Sequence, residues 1–192
     1  MAEIKSALEL ALEKADRLGR ATEREMQDTE WRERARHLAA DFLREKVELE
    51  EKIAKIPPES RPLVVDTLKE VLLRNIILPR EGVLELNSER AQAGMLQIAR
   101  DKKAMQRLVN EVAQLCKNFE QVRQKSYEQL KASFASSLNN IQRSLEAQMH
   151  MKVQLDVEQT PQFQEEWRKF EANLVNQFEP LLEQYKAQMG AL

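Results

Sequence analysis

The sequence predicts a mainly α-helical protein, an elongated helical bundle built around one very long, coiled-coil-like helix. Glycine and proline are scarce, with 4 and 6 among 192 residues, and strong helix formers dominate, which disfavours β-sandwiches and barrels. Hydrophobic residues recur every three or four positions from 98 to 145 without a proline or glycine, which is the period of an α-helix. The 42% hydrophobic and 32% charged residues are typical of a folded domain.

Two segments are expected before the long helix. Residues 1–56 form N-terminal amphipathic helices, over 3–18 and over 22–56, and Pro57-Pro58 ends the second one because proline lacks a backbone donor. Residues 57–192 form the helical bundle. Its first helix, over 63–77, carries apolar residues around too wide an arc for a solvent-facing surface, so it should be deeply buried.

The long helix is predicted over 87–147, about 90 Å at 1.5 Å per residue. Its apolar stripe is narrow and needs neighbouring helices to cover it. Beyond residue 125 the register slips by one, to Tyr127, Leu130 and Phe134. This slip favours a bundle whose partner changes near residue 125 over one uninterrupted coiled coil.

Two short stretches predict a minor two-stranded β element, at 83–86 and at 149–157. In the second, apolar and polar residues alternate from Met149 to Val157, the period of a strand. Its mate is either 83–86 or the same stretch in a second subunit, and both alternatives stay open.

The last helix is predicted over 161–189. Thr160 and Pro161 form a typical start, and aromatic residues follow at helical spacing, interrupted by Pro180, which should kink the helix. We expect this stripe to pack in a core. The candidate protein-interaction residues are those of the two stripes: Ile98, Met105, Val112, Leu115, Phe119, Val122, Phe163, Trp167, Phe170, Leu174 and Phe178.

Catalytic and cofactor chemistry is not expected. The two histidines, His37 and His150, each follow a glutamate by four residues, whereas di-iron helices space these ligands by three. No phosphate-binding glycine motif or nucleophile motif occurs. The single cysteine, Cys116, has no local histidine to activate it. We therefore expect no metal, no cofactor and no enzymatic activity.

The expected partners are proteins. Residues 91–150 carry nine basic and five acidic side chains, and residues 151–192 carry four and seven, which favours helix packing over nucleic-acid binding. No stretch is apolar enough to predict a membrane span or signal peptide. One cysteine suits a cytoplasmic location. Because the seam is longer than the other helices can cover, a homo-oligomer is expected, and a dimer is favoured.

Three stretches carry a family resemblance: IKSALELALEK at 4–14, RHLAADFL at 36–43 and VLLRNIILP at 71–79. They resemble a family of uncharacterised bacterial helical proteins from deltaproteobacteria and spirochaetes, mainly over the first 80 residues. The resemblance implies a bacterial helical protein and supplies no site residue. Together these patterns predict a non-enzymatic scaffold or adaptor that acts through helix–helix contacts. The alternative is a holdase-like or regulatory protein that binds other polypeptides.

Overall fold

The structure, a computed structural model, describes residues 23–45, 48–80, 85–149 and 156–192. In these ranges the chain forms six α-helices and one 3₁₀ turn, Val157–Gln159, and no strand. The helices are α1 (Glu23–Glu45), α2 (Leu49–Ala54), α3 (Arg61–Asn75), α4 (Glu85–Ile98), α5 (Lys102–Met149) and α6 (Pro161–Ala191). The mainly helical prediction is confirmed, and the helix predicted over 3–18 lies outside the described residues.

The prediction of one continuous helix over 22–56 is wrong, because α1 ends at Glu45 and the short α2 begins at Leu49. Side chains of α4 satisfy the backbone on both sides of this break. The Arg90 guanidinium donates to the carbonyl oxygens of Leu43 and Arg44, and the Gln97 Oε1 accepts a 2.8 Å hydrogen bond from the Leu49 amide. These groups would otherwise lack partners at the helix ends, so tertiary contacts stabilise the interruption.

The prediction of a single helix over 87–147 is also wrong, because one helix ends at Ile98 and the next begins at Lys102. The Asp101 carboxylate accepts hydrogen bonds from the amides of Lys103 and Ala104, at 3.0 and 2.9 Å, and so caps a new helix. The helix α4 then lies back along the start of α5, and together they line a cavity at residues 88–92 and 113–120. The 48 residues of α5 still span about 70 Å.

The predicted β element is not seen among the described residues. Leu86 belongs to α4, Met149 ends α5 and Val157 lies in the 3₁₀ turn. The remaining residues of the two stretches, 83–84 and 150–155, lie outside the described residues. The C-terminal helix begins at Pro161 as predicted and runs through Pro180 to Ala191.

Helices α1 to α4, which we call the head, pack around α3. The helix α1 lies on α3 and α4, and α3 also lies on α4. Leu68, Leu72 and Ile76 are fully buried at the centre, and Ala39 and Phe42 of α1 cover them as members of the same core. The wide apolar arc of α3 is thus buried because a helix lies on more than one side of it.

Gly94 of α4 sets the distance between three head helices. A Cβ atom at this position would lie 2.7 Å from Cε1 of Phe42 and 3.0 Å from Cδ1 of Leu72. Both of these side chains are buried, at 4% and 0% exposure. A hydrogen atom at this position therefore lets α1 and α3 approach the backbone of α4 closely.

The helices α5 and α6, which we call the hairpin, share one core with the head. Met105 and Val112 of α5 and Met189 of α6 are fully buried in it. Lys69 of α3 donates from Nζ to the carbonyl of Gly190 at 3.4 Å, where a cation is favourable at a helix C-terminus. The end of α6 is thereby held against the head.

We expect Gly94→Ala to lower the free energy of unfolding by up to about 2 kcal/mol. Alanine gains about 1 kcal/mol in helix propensity, but overpacking a buried contact costs about 1–3 kcal/mol. Urea denaturation measures the difference. The double variant Gly94→Ala with Phe42→Leu should regain part of the loss, since the shorter side chain makes room. A stability of Gly94→Ala above that of the wild type would contradict the close packing.

Candidate protein-interaction surface

The two helices of the hairpin run antiparallel, and side-chain pairs along its length fix their register. Phe119 faces Phe178 with ring centroids 5.4 Å apart, and Phe134 faces Phe163 at 5.6 Å. As residue numbers rise along α5, their partners' numbers fall along α6. The aromatic stripe predicted on the C-terminal helix is therefore packed against α5.

The chain itself covers most of the seam predicted on α5. Met105, Val112 and Phe119 are at most 2% exposed, and Leu108 and Leu115 are 8% and 9% exposed. The expectation that the other helices leave this part of the seam uncovered is therefore wrong. Ile98 is buried as well, but at the end of α4. Only Val122, at 40% exposure, lies open to solvent among the residues predicted on this stripe.

The predicted residues of α6 divide into two groups. Phe163 and Leu174 are buried, at 2% and 4% exposure. Trp167, Phe170 and Phe178 are half-buried. The structure brings all five onto the α5 side of α6, yet it leaves the aromatic edges of three of them within reach of solvent.

The outer half of the hairpin, from Arg123 on α5, holds an aromatic cluster. Tyr127 lies edge to face against Phe163 at 5.5 Å and against Trp167 at 4.9 Å, and Trp167 stacks on Phe170 at 5.5 Å. Edge-to-face and offset stacking are the favourable geometries for aromatic pairs. Beyond the slip of register near residue 125, Tyr127 and Phe134 of α5 continue the ring contacts that Phe119 makes with Phe178. Tyr127 was absent from the predicted site residues.

Charged side chains flank this cluster on one side. Arg123 Nε lies 2.8 Å from Glu171 Oε1, with both side chains mostly buried, and its guanidinium lies 5.9 Å from the centre of the Trp167 ring. Lys131 pairs with Glu158 of the 3₁₀ turn. The hydrogen bond from Lys131, followed by that of the Tyr127 hydroxyl, lowers the pKa of Glu158. Because the Lys131 pair is exposed, it adds little stability and mainly fixes the position of the turn on α5.

A groove of about 520 Å³ opens between α5 and α6 at this point, and we call it the aromatic groove. Its lining combines buried and half-buried rings with basic, acidic and amide side chains: Arg123, Gln124, Tyr127, Glu158, Phe163, Gln164, Trp167, Arg168 and Glu171. Arg123 and Arg168 were not among the predicted site residues, because a basic residue on a helix usually faces solvent. Only the antiparallel register shows that Arg123 of α5 lies beside the Trp167 ring and lines the same groove as Arg168.

Metal binding and membrane insertion are two further functions on which the described residues bear. Within the described ranges, no three histidine, cysteine, aspartate or glutamate side chains converge to hold a metal ion. None of the described helices has the length and apolar character needed to cross a membrane. Cys116 is half-buried and lines a cavity of about 230 Å³ between α4 and α5, beside Lys117, Glu89 and Glu120.

The fold and this surface define a helical-bundle protein with a protruding two-helix hairpin. The chain belongs to the family of unknown function DUF6657, whose match covers residues 50–191. The chain thus belongs to an uncharacterised family, as the resemblance implied. The match does not lie mainly in the first 80 residues, and of the three stretches it includes only 71–79. Searches of curated proteins and of solved structures gave no match.

We expect Phe163→Ala to lower the free energy of unfolding by about 3–5 kcal/mol, the usual cost of removing a buried phenylalanine. The ring is 2% exposed and contacts both Tyr127 and Phe134. Thermal and urea denaturation measure the loss. As a control, Met26→Ala removes a side chain that is 60% exposed and should change stability by less than about 0.5 kcal/mol. Equal effects would show that the outer hairpin contributes little to folding.

Proposed function

We propose that the protein is a non-enzymatic helical scaffold or adaptor, and that it binds another protein through the aromatic groove. The observation that carries this proposal is the composition of the groove. Tyr127, Trp167, Arg123 and Arg168 line one opening, and tyrosine, tryptophan and arginine are the residues most enriched where binding energy concentrates in protein interfaces.

The burial pattern of the hairpin supports the same proposal. Between residues 105 and 119, every third or fourth side chain of α5 is buried, because the head and α6 both cover the helix. Between residues 120 and 137 no side chain of α5 is fully buried. Tyr127, Leu130 and Phe134 are half-buried there. A partner helix or extended segment would complete the burial of these side chains, as in helix-in-groove recognition.

Affinity capture of the full chain from its native cells, followed by quantitative mass spectrometry, tests this proposal. Arg168→Glu reverses an exposed charge in the groove and should weaken capture by about 2 kcal/mol, roughly thirtyfold. Arg107→Glu makes the same reversal on an exposed stretch of α5 outside the groove and should leave capture unchanged. Circular dichroism confirms that both variants fold.

Three outcomes are distinct. One partner captured stoichiometrically and lost with Arg168→Glu alone supports the adaptor. Many unrelated polypeptides bound in unfolded form would support the holdase alternative. Capture that is equal for the two variants would overturn the assignment to the aromatic groove.

A further inference from the structure

The hairpin is a layer two helices thick, and the head lies on only one face of it. The cavities between head and hairpin are lined on α5 by Ala113, Lys117 and Glu120 and on α6 by Ala172 and Asn176. At 3.6 residues per turn these positions lie on a single side of each helix. We call the opposite side the back face, and no other described helix packs on it.

The back face differs from the rest of the surface in its lack of charge. Helical periodicity places on it Asn118, Val122, Ser126, Gln129 and Ser133 of α5 and Asn173, Gln177, Leu181, Gln184 and Gln188 of α6. None of these ten residues is charged, in a chain with 32% charged residues. The charged residues Glu111 and Glu166 lie near its two ends. Depletion of charged residues is the compositional mark of the centre of a protein interface.

The same face holds exposed apolar side chains. Among the described residues the exposed large hydrophobic side chains are Met26, Leu86, Val122 and Leu181, and two of these four lie on the back face. Val122 is 40% and Leu181 is 47% exposed. The half-buried ring of Phe170 lies between them and the outer end of α6. Exposed apolar side chains surrounded by uncharged polar residues can be buried against a similar patch on another protein.

We propose that the back face binds a second copy of this chain, so that two hairpins form an antiparallel four-helix bundle. The register set by Phe119 and Phe178 puts Val122 and Leu181 on either side of that pair, about 10 Å apart along the hairpin. A two-fold axis crossing the hairpin near this pair lays α5 on α5 and α6 on α6 of the other copy. It brings Val122 of one copy level with Leu181 of the other, diagonally across the centre of the bundle, and the reverse, as an isologous interface requires.

The available area fits such a dimer. The back face extends about 35–40 Å along the hairpin and about 20 Å across two helices, on the order of 700–800 Å². Stable interfaces bury about 800 Å² per partner. The absence of charge also matters, because the two-fold axis places α5 against α5 of the other copy, and like charges there would repel. This face is separate from the aromatic groove, so the dimer and the proposed adaptor function can fail independently.

Sedimentation equilibrium of the full chain at about 50 µM tests the proposal, since interfaces of this area have dissociation constants in the micromolar range or below. The wild type should be a dimer. Val122→Glu and Leu181→Lys should each shift it to monomer, because each charge meets an apolar side chain twice in the dimer. Met26→Glu, the matched control on α1, should leave the dimer intact, and circular dichroism should show every variant folded.

Mixing the two single variants tests directly whether residues 122 and 181 meet in the dimer. In a mixed dimer the carboxylate introduced by Val122→Glu in one copy faces the ammonium introduced by Leu181→Lys in the other, while the unchanged Leu181 and Val122 face each other. An equimolar mixture should therefore recover the dimer that neither variant forms alone. A monomeric wild type would overturn the proposal. A dimer that survives both charge variants, or a mixture that stays monomeric, would overturn the assignment to Val122 and Leu181.

Discussion

The packing of the hairpin on the head depends on how the apolar seam of α5 is buried. This helix is about 70 Å long, and the 31 residues of α6 pack along part of it. Near its start the head covers it from one side and α6 from another, and Met105, Val112 and Phe119 are almost fully buried. Farther along, α6 and the 3₁₀ turn are the described elements that pack on it, and the rings of Tyr127 and Phe134 enter the contact. Rings suit this place because a large side chain contacts much of its neighbour even in a two-helix layer.

Cationic side chains bind backbone carbonyls where several of the helices end. Arg90 binds the last carbonyls of α1, and Arg61 donates to the carbonyls of Ile56 and Ala54 after α2, at 2.7 and 2.8 Å. Lys69 acts in the same way on α6. In each case a cation meets the negative end of a helix. These hydrogen bonds offset part of the free-energy cost of ending a helix. Several short helices can therefore pack around α3.

The hairpin offers two surfaces of different character. The aromatic groove combines rings with arginines, and the back face combines isolated apolar side chains with amides. A scaffold that binds one partner and also pairs with itself needs two such surfaces, and they must not overlap. The antiparallel register provides this separation, because the two surfaces lie on opposite sides of one layer. Both surfaces belong to the stretch matched by the family, which begins at residue 50.

The sequence by itself determined the helical class, the start of α6 at Pro161, and the apolar stripes, because period and capping residues are local properties. It also located the slip near residue 125, beyond which Tyr127 and Phe134 face α6. Only the tertiary structure decided the two helix breaks. Around Asp101 the sequence has no proline or glycine that would end a helix. The chain nevertheless reverses there, and α4 buries Met95 and Ala91 in the head. The groove and the back face likewise could not be predicted from the sequence. Each joins residues about fifty positions apart, which only the antiparallel register of α5 and α6 brings together.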